Sequence, residues 1–453
     1  MKIKLIETDE RLLTPSGLVF VGEVLQRIGF SDVISSASKK ILKNSPRIKD
    51  GPILTTYVAM LCQGKPYFDA VKETNPDPEF FETCLGIKAL PSSETLRQRM
   101  DLIGDKFRNL ILEANIKMFQ ALEIKPKTLS NGYAVLDFDV TPFDNSKSMK
   151  EGVSRTYKGF DGYAPMMAYI FREGYLLNAE LREGSQHCQK DTGPFLEDTL
   201  KMAFRVTDEK LLVRMDSGND ATENMDIMLN NAEKVDFLIK RNFRSTEAKE
   251  QMVHFAENRC SNIQNPRDGK VVYVGSKFVP HVYHDKEGNE ITCDLRIVYE
   301  INIRTIDKYG QALLVPDYEV NAWWTTLTCS DEEVIQLYHE HGECEQFHSE
   351  IKTDMDVERL PSGKFDTNKL VLELTILAYN ILRYIGQTSL SLPTSPKLKH
   401  DIRRRRIRTV IMNLIQIAGH ITSHARNLLL SIGQSNYWGA VFRDLFHLLI
   451  KAA

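Results

Sequence analysis

The apolar positions change period near residue 133. Before it they recur at three- and four-residue intervals, the spacing of a helix face. SGLVFVGEVLQRIG (16–29), ILTTYVAMLCQ (53–63), 67–74, SETLRQRMDLIG (93–104) and 105–122 are the predicted helices. Pro and Gly mark the joins, as at Gly64-Lys65-Pro66 and Leu90-Pro91-Ser92, and 125–132 reads as a linker. From 133 the runs shorten. YAVLDFDV is an apolar strand, and APMMAYIF and YLLNAELR form a hairpin around Arg172-Glu173-Gly174. DTGPFLEDTLKMAFRV is a helix, LLVRMD a buried strand, NDATENMDIMLNNA a helix and VDFLIKRN a strand, which gives the order β-β-β-α-β-α-β. Residues 243–327 carry strand patterns (KVVYVGSKF, ITCDLRIVYEINI, ALLVPDYEVNAWWTTL) and are predicted to form an inserted β domain. Ser330 and Glu333 then make a capping box at the start of a strong helix. The last hundred residues read as helical, with a basic stretch between two helices. The predicted class is α/β: a mixed-sheet core with a β-rich insertion and helical flanks. Its predicted divisions are 1–130, 131–242, 243–328, 329–387 and 388–453.

Composition narrows this reading. At 453 residues and about 150 residues per domain, several units fit. A net charge of −3, with 26% charged and 42% hydrophobic residues, is a globular balance that disfavours disorder and coiled coil. No apolar run reaches the roughly 18–20 residues of a membrane span. The segment 370–385 is apolar but is interrupted by Glu373 and Arg383, so core or interface is expected. The start, MKIKLIETDERLL, lacks a signal-peptide core. Seven cysteines without a CxxC pair suggest reduced thiols in a cytoplasm-like compartment.

The chemistry lies in the acids. Asp137 and Asp139 are two apart on one strand and so share a face. Asp216 ends LLVRMD, immediately before Ser217-Gly218. In the capped helix, Tyr338, His341, Glu345 and Lys352 are spaced 3, 4 and 7 apart and fall on one face of a regular helix. A phenol, an imidazole, a carboxylate and an ammonium do not make a packing stripe; they can line a polyanion cleft. Carboxylates from two strand ends and a helix can hold two hard divalent cations, which at roughly 4 Å separation would clamp an in-line displacement at phosphorus. A single Asp at a strand end is more often a turn or cap residue. The joint arrangement points to catalysis.

These residues resemble a known family. The element order, the β insertion and the acidic helix resemble the RNase H-like core of DDE transposases. In cut-and-paste transposases of bacterial insertion sequences the last helix carries Tyr, two residues, Arg, three, Glu, six and Lys. Tyr338, His341, Glu345 and Lys352 follow that spacing, with His341 where the family has Arg. DFDVT (137–141) and RMDSGND (214–220) resemble its first and second Asp motifs. The closest group is that of insertion sequence 1380, among hairpin-forming transposases, and the resemblance spans about residues 130–385. It implies cleavage and strand transfer of DNA with two Mg²⁺ or Mn²⁺ ions held by Asp139, Asp216 and Glu345, with Asp137 as the alternative first ligand. It also implies binding to double-stranded inverted repeats and target, a synaptic homodimer, and a cytoplasmic, nucleoid-associated bacterial setting. A metal nuclease that never joins ends, or a domesticated DNA-binding relic, are the other readings.

Further DNA contacts are expected at Tyr338, His341 and Lys352, at Lys158, Lys240, Arg241 and Arg244, and in KLKHDIRRRRIR (397–408), where Arg403, Arg404, Arg405 and Arg406 cluster. Arg97 and Arg99, early on the helix after Pro91-Ser92, sit where a recognition helix presents base-reading groups, although packing is the simpler account. Trp323 and Trp324 are neighbours on a strand, so one can be buried while the other faces the cleft, where the resemblance places a base-holding Trp, although both in the core of the β domain is the simpler account. Zinc at His341, Cys344 and His348, or at His281 and His284, lacks four clear ligands.

Overall fold

The computed structural model describes residues 3–43, 46–74, 77–397, 400–425 and 427–450. Its centre is one nine-stranded mixed sheet. In chain order the strands are β1 (Ala134–Val140), β2 (Met166–Ile170), β3 (Tyr175–Glu180), β4 (Leu211–Met215), β5 (Val235–Lys240), β6 (Asn262–Arg267), β7 (Lys270–His284), β8 (Glu290–Ile306) and β9 (Ala312–Thr325). Their order across the sheet is β6-β7-β8-β9-β5-β4-β1-β2-β3. The strands β1, β4 and β5 run parallel, β2 runs antiparallel to β1, and β3 runs antiparallel to β2. Apolar residues fill β1, β4 and β5 almost continuously, as expected for strands covered on both faces. Helices Thr192–Val206 and Thr222–Leu229 make the crossovers, so the core order is the predicted β-β-β-α-β-α-β.

The insertion is not a detached domain. It begins with helix Thr246–Arg259, and β9 pairs antiparallel with β5 through Trp323↔Lys240, Trp324↔Ile239 and Thr325↔Leu238, which extends the core sheet. A small three-stranded sheet (Phe143–Asp144, Ser154–Arg155, Asp161–Tyr163) fills a stretch that the apolar pattern leaves unassigned.

The N-terminal helices form as predicted, including Leu18–Arg27, Asp50–Leu61, Ser93–Ile103 and Arg108–Ala121. They pack around helix Phe365–Ser391, whose Leu370, Leu374, Leu377 and Ile381 are fully buried in the same core. Among the described residues no helix is long and apolar enough to cross a membrane. The C-terminal region departs from the helical expectation. Gly419–His424 and Asn427–Ile432 are a hairpin, and Leu12–Leu13 adds a third strand to it. HITSH and NLLLSI have alternating positions that suit a half-exposed hairpin, and only the third strand, Leu12–Leu13, lies some 400 residues away, which a local pattern does not reveal.

Candidate active site

Strand alternation puts Asp137 and Asp139 on one face of β1, and β4 lies beside it in parallel register, Asp137↔Arg214 and Phe138↔Met215. One further step sets Asp139 beside Asp216, which follows β4 directly. The two rungs differ in chemistry. At the first, Arg214 donates Nε–H to Asp137 Oδ1 at 2.6 Å and Nη2–H to Oδ2 at 2.7 Å, and His341 Nδ1 lies 2.9 Å from Oδ1. Arg214 Nη1–H reaches the Leu337 carbonyl at 2.7 Å and so ties the sheet to helix Asp331–His339. Burial alone would raise the Asp137 carboxyl, but Arg214 and His341 bring it down to about 2. With 3% exposure and both oxygens occupied, Asp137 is a clamp and not an open ligand.

At the second rung two carboxylates face each other. Burial and then the charge of Asp139 raise the Asp216 carboxyl, partly offset by His341 and by bonds from Gly218 N–H and Asn219 Nδ2–H, each at 3.0 Å. Burial also opposes charge on Asp139, but the hydrogen bond to His348 Nε2, at 2.9 Å, and the imidazoles of His348 and His341 hold it below the usual range. Two acids kept close, one raised by the charge of the other, form a site that a cation relaxes. The donors are hard oxygens, the set that suits Mg²⁺ or Mn²⁺. Asp137, His341 and Cys344 also lie within 4.8 Å of one another, but Arg214 already neutralises Asp137 there, which disfavours a further cation.

The acidic helix is capped as predicted: Ser330 Oγ accepts the Glu333 N–H at 3.2 Å. It is not one regular helix. An α segment (Asp331–His339) passes into a 3₁₀ turn (Glu340–Glu343), an α turn (Cys344–Ser349) and a π turn (Glu350–Asp354). A 3₁₀ turn advances about 20° more per residue than an α turn, so the predicted face is not continuous through it. His341, Cys344 and His348 point inward and are buried, whereas Glu345 is exposed and has no hydrogen-bond or ion-pair partner among the described residues. Glu345 borders a groove of roughly 640 Å³ shared with Arg403, Arg404 and Arg406. The structure therefore brings Asp139 and Asp216 together and leaves Glu345 on the outer side of its helix.

The expected DNA contacts fall in varied places. Tyr338 is partly buried, 5.5 Å from the Trp323 ring and 5.8 Å from His341, and burial with the charges of Asp216 and Asp139 raises its phenol, so it stays a neutral donor. His341 is inside, bound to Asp137, and not on an open face. Lys352 donates to the Pro142 carbonyl and lies 3.6 Å from Glu358. Trp323 is 1% exposed, in one core cluster with Leu238 and Val298, so it is a packing residue. Trp324 is half-buried, with the Arg241 guanidinium 5.3 Å from its ring and 5.0 Å from that of Phe243. Lys240 ends β5 beside them, and Arg244 reaches the Asp220 carbonyl at 3.4 Å.

The arginines are largely occupied. Arg97 pairs within its helix with Glu94 and Asp101, and Arg99 donates to buried Asp50 at 2.8 Å, a packing role. In the basic stretch Arg403 meets Glu343 at 3.0 Å, and Arg404 covers the Phe347 ring at 4.4 Å. Arg405 is buried on Ser389, and Arg406 holds Asp354 at 2.8 Å. The stretch straps the acidic helix instead of offering a free polyanion stripe. Lys399 lies outside the described residues.

Residues that sequence reasoning missed as site groups are Arg214 and Tyr157, and His348 was weighed only as a zinc ligand. His348 follows His341 by seven, which was a usable helical signal. Tyr157 stands on the turn of the small sheet, and its hydroxyl donates to the Val140 carbonyl at 3.2 Å, next to Asp139.

Fold and site together define an α/β protein with paired acids at the ends of adjacent parallel strands and an acid-bearing helix over them. Along residues 1–453 the chain matches the family model described as transposase DDE domain group 1; it belongs to that family and is a DDE transposase, an enzyme class that uses divalent metal ions. No curated protein matches it. Among solved structures it is similar to piggyBac transposase, seen by cryo-EM in a synaptic complex with hairpin DNA. The identity is 12% and the TM-score 0.39, over 88% of this chain and 78% of that one.

Proposed function

We propose that the protein cuts the ends of a transposable DNA element and joins them to a target, as a member of the bacterial insertion sequence 1380 group. The observation that carries this reading is the facing pair Asp139–Asp216 at the ends of adjacent parallel strands, where the charge of Asp139 raises the Asp216 carboxyl. Asp139, Asp216 and, after a shift of its helix, Glu345 would hold two Mg²⁺ or Mn²⁺ ions. Bound there, the ions supply Lewis-acid activation of an oxygen nucleophile and neutralise charge at pentavalent phosphorus. In the first reaction water attacks the phosphodiester at the element end; the P–O3′ bond breaks and leaves a 3′-OH and a 5′-phosphate. In the second, that 3′-OH attacks a phosphodiester of the opposite strand or target and releases another 3′-OH. His348 orients the Asp139 carboxylate, and Tyr338 offers a neutral hydroxyl donor nearby.

Residues 1–130 are assigned to end recognition, 131–242 and 329–387 to the catalytic core, 243–328 to the insertion and 388–453 to a basic C-terminal region. A homodimer that synapses two ends, a hairpin intermediate and a nucleoid setting complete the reading. The test supplies pre-cut ends carrying a 3′-OH, a supercoiled target and Mg²⁺ or Mn²⁺. Covalent joining supports transposition. Cleavage of intact ends without joining marks a nuclease, and specific binding without either reaction marks a relic.

A further inference from the structure

Beside the two carboxylates stands an aromatic side chain for which the fold has no packing use. Tyr157 is 67% exposed, an unusual state for a residue fixed this firmly. Its turn, residues 156–160, is closed by Thr156 N–H and Thr156 Oγ–H to the Phe160 carbonyl, both at 2.8 Å, and by Gly159 N–H to the Thr156 carbonyl at 3.0 Å. Gly159 has φ +85°, the left-handed backbone that such a tight turn requires. Thr156 is buried beneath. The tyrosine hydroxyl is tethered to the Val140 carbonyl, one residue beyond Asp139. The ring is thus held at one end by the site strand and at the other by a rigid turn, with its surface left to solvent. The Lys158 ammonium is exposed and lies 5.5 Å from the centre of that ring.

A flat ring with a cation over one face and the rest of its surface exposed, fixed beside a site for phosphodiester chemistry, matches a nucleotide: a base to stack and a phosphate to pair. We propose that Tyr157 is the stacking platform for a base of the DNA strand that enters the Asp139–Asp216 site, and that Lys158 holds an adjacent phosphate. This rests on the proposed DNA-cutting function. Neither residue supplies a proton or a bond to the reaction; both position the strand. The phenol stays un-ionised, because burial of the hydroxyl and the charges of Asp139 and Asp216 raise it, so the ring brings no negative charge to a polyanion.

The test uses the full-length protein and a nicked duplex oligonucleotide with 2-aminopurine beside the nick, in EDTA so that nothing is cut. The wild type is expected to quench the fluorophore by stacking. Tyr157→Phe, which keeps the ring, should quench as well. Tyr157→Leu, which keeps bulk without a π-face, should lose the quench and bind about 10-fold more weakly. Lys158→Ala should keep the quench and lower the salt dependence of binding by about one ion. A wild type that binds without quenching, or a Tyr157→Leu variant that quenches like wild type while melting at the same temperature, would overturn the assignment. A parallel cleavage assay in Mn²⁺ separates the two proposals. Quenching without any cleavage removes the catalytic reading and leaves the platform; cleavage without quenching removes the platform alone.

Discussion

Two rungs of one sheet, a single step apart, have opposite electrostatics. At the first, Asp137 faces Arg214, and the pair is closed by His341 and the Leu337 carbonyl. At the second, Asp139 stands beside Asp216; burial and the charge of Asp139 raise the Asp216 carboxyl, while His348 and His341 hold Asp139 below the usual range. The strands alternate identically in both places. What separates a clamp from a candidate metal site is the residue on the neighbouring strand, arginine at 214 and aspartate at 216. A buried opposite-charge rung fixes the sheet to the helix above it. A like-charge rung is held in place by that neighbour and needs a cation to reach its lowest energy.

The largest way to break the contrast is at the second rung. Asp139→Asn and Asp216→Asn should each lower end cleavage by about 10³-fold or more, as loss of several kcal/mol of transition-state stabilisation requires, without loss of folding. A gel-based nicking assay beside a melting curve measures both. Glu345→Gln should fall with them if its helix turns inward on assembly, whereas full activity would exclude it as a ligand. Conversely, an Asp139→Asn protein that cuts normally would return the first ligand role to Asp137.

Next in size is the first rung. Asp137→Ala leaves Arg214 buried without its partner and should cost about 3–5 kcal/mol in urea unfolding. Its pH dependence has a definite sign. The carboxyl is depressed to about 2 in the fold, so its contribution is complete above the ordinary value of about 3.9 and is lost as pH falls toward 2. Asp137→Asn should show a flatter acid limb over that window.

Trp323→Ala should be comparable, at about 3–5 kcal/mol, because a fully buried indole is removed. Trp324→Ala should cost less and instead weaken DNA binding if Arg241 and its ring face the substrate. The smallest effect sharpens the comparison most. Asp216 is raised, so its charged form opposes folding at neutral pH. Asp216→Asn should therefore raise the apo melting temperature slightly at pH 7 and lose that advantage in acid, where both side chains are neutral. Mn²⁺ should stabilise the wild type and not the variant.

Much of this was legible from spacing. Strand alternation gave the core order, and the acids at the ends of DFDV and LLVRMD mark the second rung without a structure. The first rung was not, because register between β1 and β4 is set by the whole sheet; Asp137 then looked like a spare ligand. Ser330 and Glu333 announced the helix correctly, but the one-face reading of Tyr338, His341, Glu345 and Lys352 assumed an unbroken 3.6-residue repeat. Gly342, a weak helix former, was the signal for the break. The arginine run looked like a polyanion contact because its partners, Glu343 and Asp354, are on another element. Tyr157 escaped because an exposed aromatic in a turn carries no periodic signature at all.

The short strand Leu12–Leu13 pairs with Gly419 and His420, and Leu18, Phe20 and Val21 just after it lie in the core that contains helix Phe365–Ser391. During synthesis residues 12–21 must therefore wait for residues near 420. The helices before residue 125 emerge with their apolar faces uncovered, and the sheet that seals them is completed only once Gly419 and His420 have been made. Ribosome-stalled chains ending before residue 365 should stay protease-sensitive across the amino-terminal helices, while those extending past 432 with their exit-tunnel segment cleared should become resistant in one step. A chain ended before Gly419 thus keeps the apolar faces of its early helices open.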